Sequence, residues 1–267
     1  MWKAVTTSLC ALLFYSAVPS GNTTIPPGKE HHFEYTLHGP EFMFKPDVGS
    51  VVWEYRYDLP SKGVPILKSH FEVKTDSKLV KSITGVNITS IRSTNDYNDG
   101  NFALSRYFYE LKENIPDTQG RNTIIEQLKF GLLFQNRQKE CKKWDDGKLF
   151  AVSCGDTPSG NVPDLFAVLA AVIHAPNLEK IVDAKWEWPA VYGRQEEKVS
   201  LEKMEEKIIT RDHSTIPLVL YNVRNIDQLL GEKNIAIRLG LRKEHPHFME
   251  YAEIETTFGT LTLERKE

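Results

Sequence analysis

Alternation of apolar and charged residues runs through most of this chain. The sequence VVWEYRYD, which starts at Val51, places a large aromatic residue at every second position with charged residues between, the pattern of a half-buried strand. Polar turns such as 98–100 (NDG) join neighbouring runs, and turns this short connect antiparallel strands. Further strand-like runs occupy 70–74, 79–84, 86–92, 102–111, 124–134, 185–191, 198–210, 216–221, 235–241, 248–254 and 258–263.

One segment has helical character instead. Residues 163–175 are apolar nearly all round, Asn161 can cap the start, and Pro176 can end the helix. Because this segment lacks a polar face, we predict a buried helix over about 163–175. A second, short helix is predicted over 226–230.

The order of these elements indicates the fold class. The proline-containing residues 21–47 are predicted to be an irregular segment that lies across an edge of the fold. Many strands, one central helix and no internal repeat indicate an all-β protein. We expect an antiparallel meander that forms a closed or half-open barrel-like sheet, with the helix packed in or against it. Residues 21–267 are predicted to form a single β-rich domain.

The first twenty residues have the build of a secretory signal peptide. Lys3 supplies a positive start, and the uncharged run 4–18 ends at the small-residue pattern 18–20 (VPS). This run is shorter than the roughly 20 apolar residues of a transmembrane helix. We therefore predict that residues 1–20 are removed, that the protein is periplasmic or secreted, and that the mature chain does not span a membrane.

Removal of the signal peptide leaves two cysteines, Cys141 and Cys154. The turn signal 145–147 (DDG) between them predicts a hairpin, and an even pair in an oxidising compartment predicts one disulfide. A bridge across so short a loop stabilises the fold by about 3 kcal/mol in the chain-entropy model. Asn22 and Asn87 also match glycosylation acceptors, which matter only in a host that uses them.

Charge and motif content exclude several functional classes. A net charge of -3 gives no basic face for nucleic acid. The chain contains neither a Gly-x-Ser-x-Gly elbow nor a phosphate-cradling glycine loop. These observations predict a non-enzymatic protein without catalytic residues or a cofactor.

The eight histidines raise the question of a metal site. On a strand, His31 and His32 would point to opposite faces. His245 and His247 could share a face, with Glu250 as a third ligand, but a zinc site needs three or four ligands in a defined geometry and the sequence reveals no such set. We therefore predict no bound metal.

Aromatic side chains are concentrated on few strands. The inward-facing members either fill the core or line an apolar cavity, and both alternatives stay open at the level of sequence. The candidate pocket-lining residues are Trp53, Tyr55, Tyr57, Phe166, Leu169, Trp186 and Trp188.

The C-terminal half resembles a bacterial exported family, the domain of unknown function numbered three-thousand-one-hundred-and-eight. The resemblance covers roughly residues 160–264 and is carried by 163–171 (PDLFAVLAA), 191–210, 235–241 (IAIRLGL), His245-Pro246 and 258–261 (FGTL). This chain departs from the family at 238–240, where Arg-Leu-Gly replaces an expected tryptophan. The resemblance implies an exported, mostly antiparallel β protein of the envelope with no established activity.

Three functions remain, and they make different demands on the structure. The leading hypothesis is an envelope protein that binds a lipid, an acyl chain or another apolar ligand in a barrel-like pocket. The alternative is an interaction or scaffold module with a solid core, which recruits another envelope protein through an edge strand or exposed aromatic residues. A hydrolase would need carboxylates or a Ser-His pair to converge in a cleft.

Overall fold

The residues that the structure describes form an antiparallel sheet of fourteen strands, with three short helices among them. The computed structural model describes residues 25–40, 46–75, 87–98, 101–116, 123–135, 138–145, 148–152, 162–192, 195–230, 235–256 and 259–266. The strands are β1 Glu30–His38, β2 Asp47–Asp58, β3 Ile66–Thr75, β4 Asn87–Asn98, β5 Asn101–Pro116, β6 Thr123–Gln135, β7 Gln138–Asp145, β8 Lys148–Val152, β9 Glu187–Tyr192, β10 Gln195–Arg211, β11 Ser214–Arg224, β12 Ala236–Arg242, β13 Met249–Thr256 and β14 Gly259–Arg265. The helices are α1 Leu165–Ile173, α2 Leu178–Asp183 and α3 Ile226–Leu230.

The sheet consists of two meanders, β1 to β8 and β9 to β14, which are joined by the pairing of β1 with β14. Its strand order is β8-β7-β6-β5-β4-β3-β2-β1-β14-β13-β12-β11-β10-β9, so nearly every strand pairs with its neighbour in sequence. The exception is β1, which pairs with β2 and with β14, for example Leu37 with Leu263. The antiparallel meander predicted from the short polar turns is confirmed.

Alternation along the strands determines which side chains face the interior. On β1 the side chains of His31, Phe33, Tyr35 and Leu37 are buried and those between them are more exposed. Trp53, Tyr55 and Tyr57 alternate in the same way on β2. Because β1 and β2 each bury one face and leave the other more exposed, a one-residue register slip would expose their whole apolar set.

A short extended segment bridges the gap between β5 and β9. The Leu104 N–H of β5 donates to the Val162 carbonyl (3.0 Å), and the Val191 N–H of β9 donates to the Pro163 carbonyl (2.9 Å). Among the described residues, β8 and β9 remain the two edge strands, so strand pairing alone does not close the sheet. The barrel-like shape therefore depends on residues 162–164, and the closed form of our prediction is wrong as far as direct strand pairing is concerned.

Asp164 is the fixed point of this bridging segment. Its buried carboxylate accepts hydrogen bonds from the Phe166 and Ala167 N–H groups at the start of α1 (2.8 and 3.3 Å). It also accepts from the Asn95 amide of β4, whose own oxygen accepts from the Asp164 N–H (3.1 Å). Burial raises the pKa of the Asp164 carboxyl, and these hydrogen bonds oppose part of the rise. One side chain thus caps the helix and attaches it to the sheet.

The N-terminal part of the described chain corrects one expectation. Residues 30–38, predicted as part of an irregular segment, form the central strand β1. The prolines that suggested irregular backbone lie outside this strand, at Pro26, Pro27, Pro40 and Pro46. Between Pro27 and Pro40 the period-2 pattern is uninterrupted. The strand pairs with β2 and β14 and buries its apolar face, and this outweighs the turn signals on either side.

The helices are shorter than expected. The predicted single long helix over 163–175 is wrong, because α1 spans only 165–173 and a second helix, α2, follows the break at Pro176. Asp164 caps α1, since Pro163 belongs to the bridging segment. The predicted helix 226–230 is confirmed as α3. No helix in the described ranges is long and apolar enough to cross a bilayer.

Several sequence predictions lie wholly or partly outside the described residues. These are the signal peptide 1–20, the glycosylation acceptor Asn22, the strand 79–84 and Cys154. The predicted hairpin around 145–147 is present as β7 and β8, with the backbone of Cys141 opposite Val152. The side chains of Cys141 and Asn87 are not described, so the disulfide and the glycosylation stay predictions.

Replacing Asp164 by alanine tests the bridging segment. We expect Asp164→Ala to lower the free energy of unfolding by about 2–4 kcal/mol, because it removes a helix cap and takes from the buried Asn95 Nδ2–H group its carboxylate acceptor. Urea unfolding measures the change. Asp183→Ala, at an exposed acidic position of α2, is the matched control and should stay within about 0.5 kcal/mol of the wild type. Equal values for the two variants would contradict the role given to Asp164.

Candidate functional site

An apolar cavity of about 280 Å³ lies inside the curved sheet, against α1. Strands from both meanders surround it, β3 on one side and β9 to β14 on the other. Its lining residues are Phe71, Val73, Leu165, Phe166, Val168, Leu169, Val172, Trp188, Tyr192, Val199, Ser200, Leu201, Val223, Ile226, Leu230, Ile237, Leu239, Met249, Ala252, Ile254 and Leu263. This composition is typical of a small-molecule site that recognises shape and apolar surface.

Helix α1 forms one wall of the cavity and is itself held by the sheet. The Phe166 ring stacks on the Phe71 ring of β3, with 4.4 Å between centroids. Ala167 and Ala170 are fully buried, and such small side chains allow the helix to approach its neighbours closely. Leu165 and Leu169 are only half-buried although they line the cavity. The helix therefore presents apolar side chains to an interior space that the protein itself does not fill.

The structure places the predicted pocket-lining residues in three different environments. Phe166, Leu169 and Trp188 line the cavity. Trp186 is half-buried and packs against the core. Trp53, Tyr55 and Tyr57 are buried in the core and are not among the cavity-lining residues. Sequence alternation identified inward-facing aromatics correctly but could not distinguish core filling from cavity lining.

A layer of aromatic and histidine rings packs near the C-terminal end of α1. The Tyr55 hydroxyl donates to Nε2 of His174 (2.9 Å), the residue that follows α1. The His31 ring stacks on Tyr55 at 4.8 Å and meets the His174 ring edge-on at 4.9 Å. The His247 N–H donates to the Ile173 carbonyl (2.8 Å). This layer connects β1, β2 and the segment after β12 to the end of the helix.

Burial favours the neutral form of His174 and His31. Desolvation lowers the pKa of His174 to about 4, and the nearby His31, His245, Lys29 and His247 lower it further by repulsion. Desolvation also lowers the pKa of His31, with a smaller effect from Lys29. A neutral His174 ring accepts the Tyr55 hydrogen bond, so protonation would break a buried contact.

The histidines do not form a metal centre in the part of the chain that the structure describes. No group of three or more His, Cys, Asp or Glu side chains is placed there to hold an ion. His245 Nε2 donates to the His174 carbonyl (3.2 Å) and His247 Nδ1 donates to the Arg242 carbonyl (2.9 Å). Glu250, the third candidate ligand, contacts arginines instead.

A second, polar cavity of about 460 Å³ opens at one end of the sheet. We call it the arginine pocket. It lies between the β10–β11 turn, the end of β12 and the end of β14, and is lined by Arg211, Ser214, Thr215, Ile216, Pro217, Arg242, Glu244, Arg265 and Lys266. Sequence analysis missed this site. The available signal was the place of Glu250 and Arg265 at inward-facing strand positions, since a charged residue that faces inward requires a partner.

Comparison with known proteins adds little to this description. No model of a known protein family matches the chain, and no curated protein matches it either. Among solved structures, the chain is similar to a beta-barrel-like protein of domain of unknown function DUF1849 from Brucella abortus, at 8% sequence identity and a TM-score of 0.48 over 91% of this chain and 98% of that one. DUF1849 is not the family that the sequence resembles, and that resemblance stays a prediction. So distant a likeness carries no argument about function.

The buried histidine layer predicts a specific pH dependence. Unfolded His174 takes up a proton near pH 6.5 and the folded residue only near pH 4, so stability falls as the pH drops through this range. One such group accounts for about 3 kcal/mol of the loss. Urea unfolding at pH 7 and pH 4 measures it, and His174→Gln should lose correspondingly less than the wild type.

His213→Gln is the matched control for this measurement. His213 is exposed at the β10–β11 turn, so its replacement should leave the pH dependence of stability unchanged. If His174→Gln and the wild type lose equal stability between pH 7 and pH 4, the acid sensitivity arises elsewhere, for example from the carboxylates.

Proposed function

We propose that this protein is an exported, non-enzymatic envelope protein that binds a single apolar chain, such as the acyl chain of a lipid, in the cavity against α1. The observation that supports the proposal is the cavity lining, in which apolar side chains greatly outnumber polar ones. Export is proposed from the signal-peptide pattern of residues 1–20, and it is consistent with a protein that handles a poorly soluble ligand.

The chemistry of the lining favours a hydrocarbon over a polar ligand. Among the lining residues that the structure describes, only Ser200 and Tyr192 carry a side-chain hydroxyl group. A sugar, nucleotide or peptide would lose its hydrogen bonds to water in such a cavity and regain few of them. A hydrocarbon chain loses none and contributes about 0.8 kcal/mol for each methylene that it buries.

The size of the cavity limits what it can accept. Its volume of about 280 Å³ is close to the lower limit of roughly 300 Å³ for small-molecule pockets. One chain of moderate length therefore fits this cavity better than a multi-chain lipid. Leu165 and Leu169 of α1 are half-buried lining residues that a bound chain would contact.

The solid-core interaction module is the alternative that the same experiment tests. Its strongest feature is the β10–β11 hairpin, where Ile208 and Met204 are exposed large apolar side chains. An interaction module would use such a surface and would need no interior space. A ligand in the cavity would favour the binding protein, and an empty cavity that binds no apolar ligand would favour the interaction module.

Native mass spectrometry of the mature protein from its own host, before and after mild organic extraction, is the first test. We expect an excess mass that extraction removes and that corresponds to an apolar compound. With the extracted protein, saturated fatty acids of increasing length should then bind about fourfold more tightly for each added methylene until the cavity is filled.

A pair of tryptophan variants locates the site. Leu169→Trp places bulk in the cavity and should weaken fatty-acid binding by about tenfold or more, as expected when a pocket is filled. Ile208→Trp, at a position that is 70% exposed on β10, should bind as the wild type does. A bare mass together with no fatty-acid binding would contradict the proposal and favour the interaction module, as would equal affinities for the two variants.

A further inference from the structure

The arginine pocket is built around one buried acid. Glu250 of β13 is fully buried, and its two carboxylate oxygens accept hydrogen bonds from three guanidinium groups. Arg211 Nη1 donates to Oε2 at 2.6 Å, and Arg242 Nε and Arg265 Nη1 donate to Oε1 at 2.6 and 2.7 Å. The three arginines come from β10, β12 and β14, so a single carboxylate gathers cations from three strands.

Positive charge exceeds negative charge at this site. The pocket is lined by four cations, Arg211, Arg242, Arg265 and Lys266, and with Glu250 behind them and Glu244 at the wall it has an excess of two positive charges. The whole chain carries a net charge of -3. The local field is therefore opposite in sign to the average field of the protein, as expected for a site that attracts anions.

The guanidinium groups are held in place and still present donors to the pocket. Arg265 lies over the rings of Phe33 and Phe248, at 4.9 and 5.4 Å from their centroids, which adds cation–π contacts to its ion pair. Arg242 reaches Glu250 through Nε, and within the described residues its Nη1 and Nη2 have no protein acceptor. Its side chain is 39% exposed, against 22% for Arg211 and Arg265. Preorganised forks of this kind bind planar or tetrahedral oxyanions.

The walls supply further groups suited to an oxyanion. Ser214 and Thr215, at the start of β11, also line the cavity and bring hydroxyl donors to it, with Ser214 paired to Arg211 across the β10–β11 hairpin. Here three arginines, a lysine and two hydroxyls surround an open space of about 460 Å³.

We propose that the arginine pocket is a binding site for an oxyanion, a phosphate or carboxylate group, held by Arg242, Arg265 and Arg211 with Glu250 as their positioning residue. The oxyanion is either free in solution or the head group of an amphiphile. The second source rests on the proposed function. Ala252 and Leu263 line the apolar cavity, and Glu250 and Arg265 lie two residues further along the same strands, a distance of about 7 Å.

Isothermal titration calorimetry of the full chain with inorganic phosphate tests the site. The ionic strength is held constant with a chloride salt. We expect saturable binding that Arg242→Gln weakens by about tenfold or more, since it removes a charge-assisted donor pair. Arg242→Lys should recover only part of the affinity, because lysine keeps the charge and loses the fork. Lys266 is exposed, so Lys266→Gln should leave the stability of the fold unchanged. It should weaken phosphate binding about threefold.

Arg224→Gln is the matched control. Arg224 also pairs with one glutamate, Glu202, but lies at the surface away from the pocket, so its replacement should leave phosphate binding unchanged. No binding of phosphate above chloride, or equal affinity of the wild type, Arg242→Gln and Lys266→Gln, would overturn the proposal.

A second titration distinguishes the two sources of the oxyanion. If the site binds a head group, decyl phosphate should bind at least tenfold more tightly than inorganic phosphate, and Leu169→Trp should abolish this gain while leaving inorganic phosphate binding intact. If the site binds a free oxyanion, the two probes should have equal affinity in both proteins. Either result supports the oxyanion site, and inorganic phosphate binding is independent of whether the apolar cavity takes a ligand.

Discussion

The hydrogen bonds of the segment 162–164 are the constraint on which the rest of the structure depends. Backbone bonds join this segment to β5 on one side and to β9 on the other, and the Asp164 side chain fastens it to β4 and to the start of α1. A sheet of this size with two free edges could flatten or split. The bridging segment holds both halves around a common interior and positions α1 against it.

The apolar cavity is a consequence of this arrangement. The position of α1 is set at its start by Asp164 and at its end by the Ile173 carbonyl, which accepts the His247 N–H. With both ends fixed, the helix cannot move to fill the space beside it. Larger apolar side chains would fill this space and stabilise the protein. An unfilled cavity is therefore a cost in stability, which binding of an apolar chain would offset.

The interior also changes character along the strands. Ala252 and Leu263 lie in the apolar part, whereas Glu250 and Arg265 lie in the charged part that opens to the arginine pocket. The two parts are two residues apart along each strand, which is one repeat of the side-chain alternation. A buried carboxylate requires cationic partners, which the three arginines supply to Glu250, and the positive charge left over at the pocket is the basis of the proposed oxyanion site.

Local pattern in the sequence determined the strand-rich class, the antiparallel meander, the hairpin of β7 and β8 and the short helix 226–230. Each of these features depends on periodicity or turn chemistry within a few residues. It also identified Phe166, Leu169 and Trp188, which line the cavity, because alternation and helical apolarity report which side chains are buried. Only the tertiary structure decided that β1 lies at the centre, that Asp164 caps α1, and that Glu250 meets three arginines. These features join residues far apart in the chain, and local sequence carries no information on which distant partners meet.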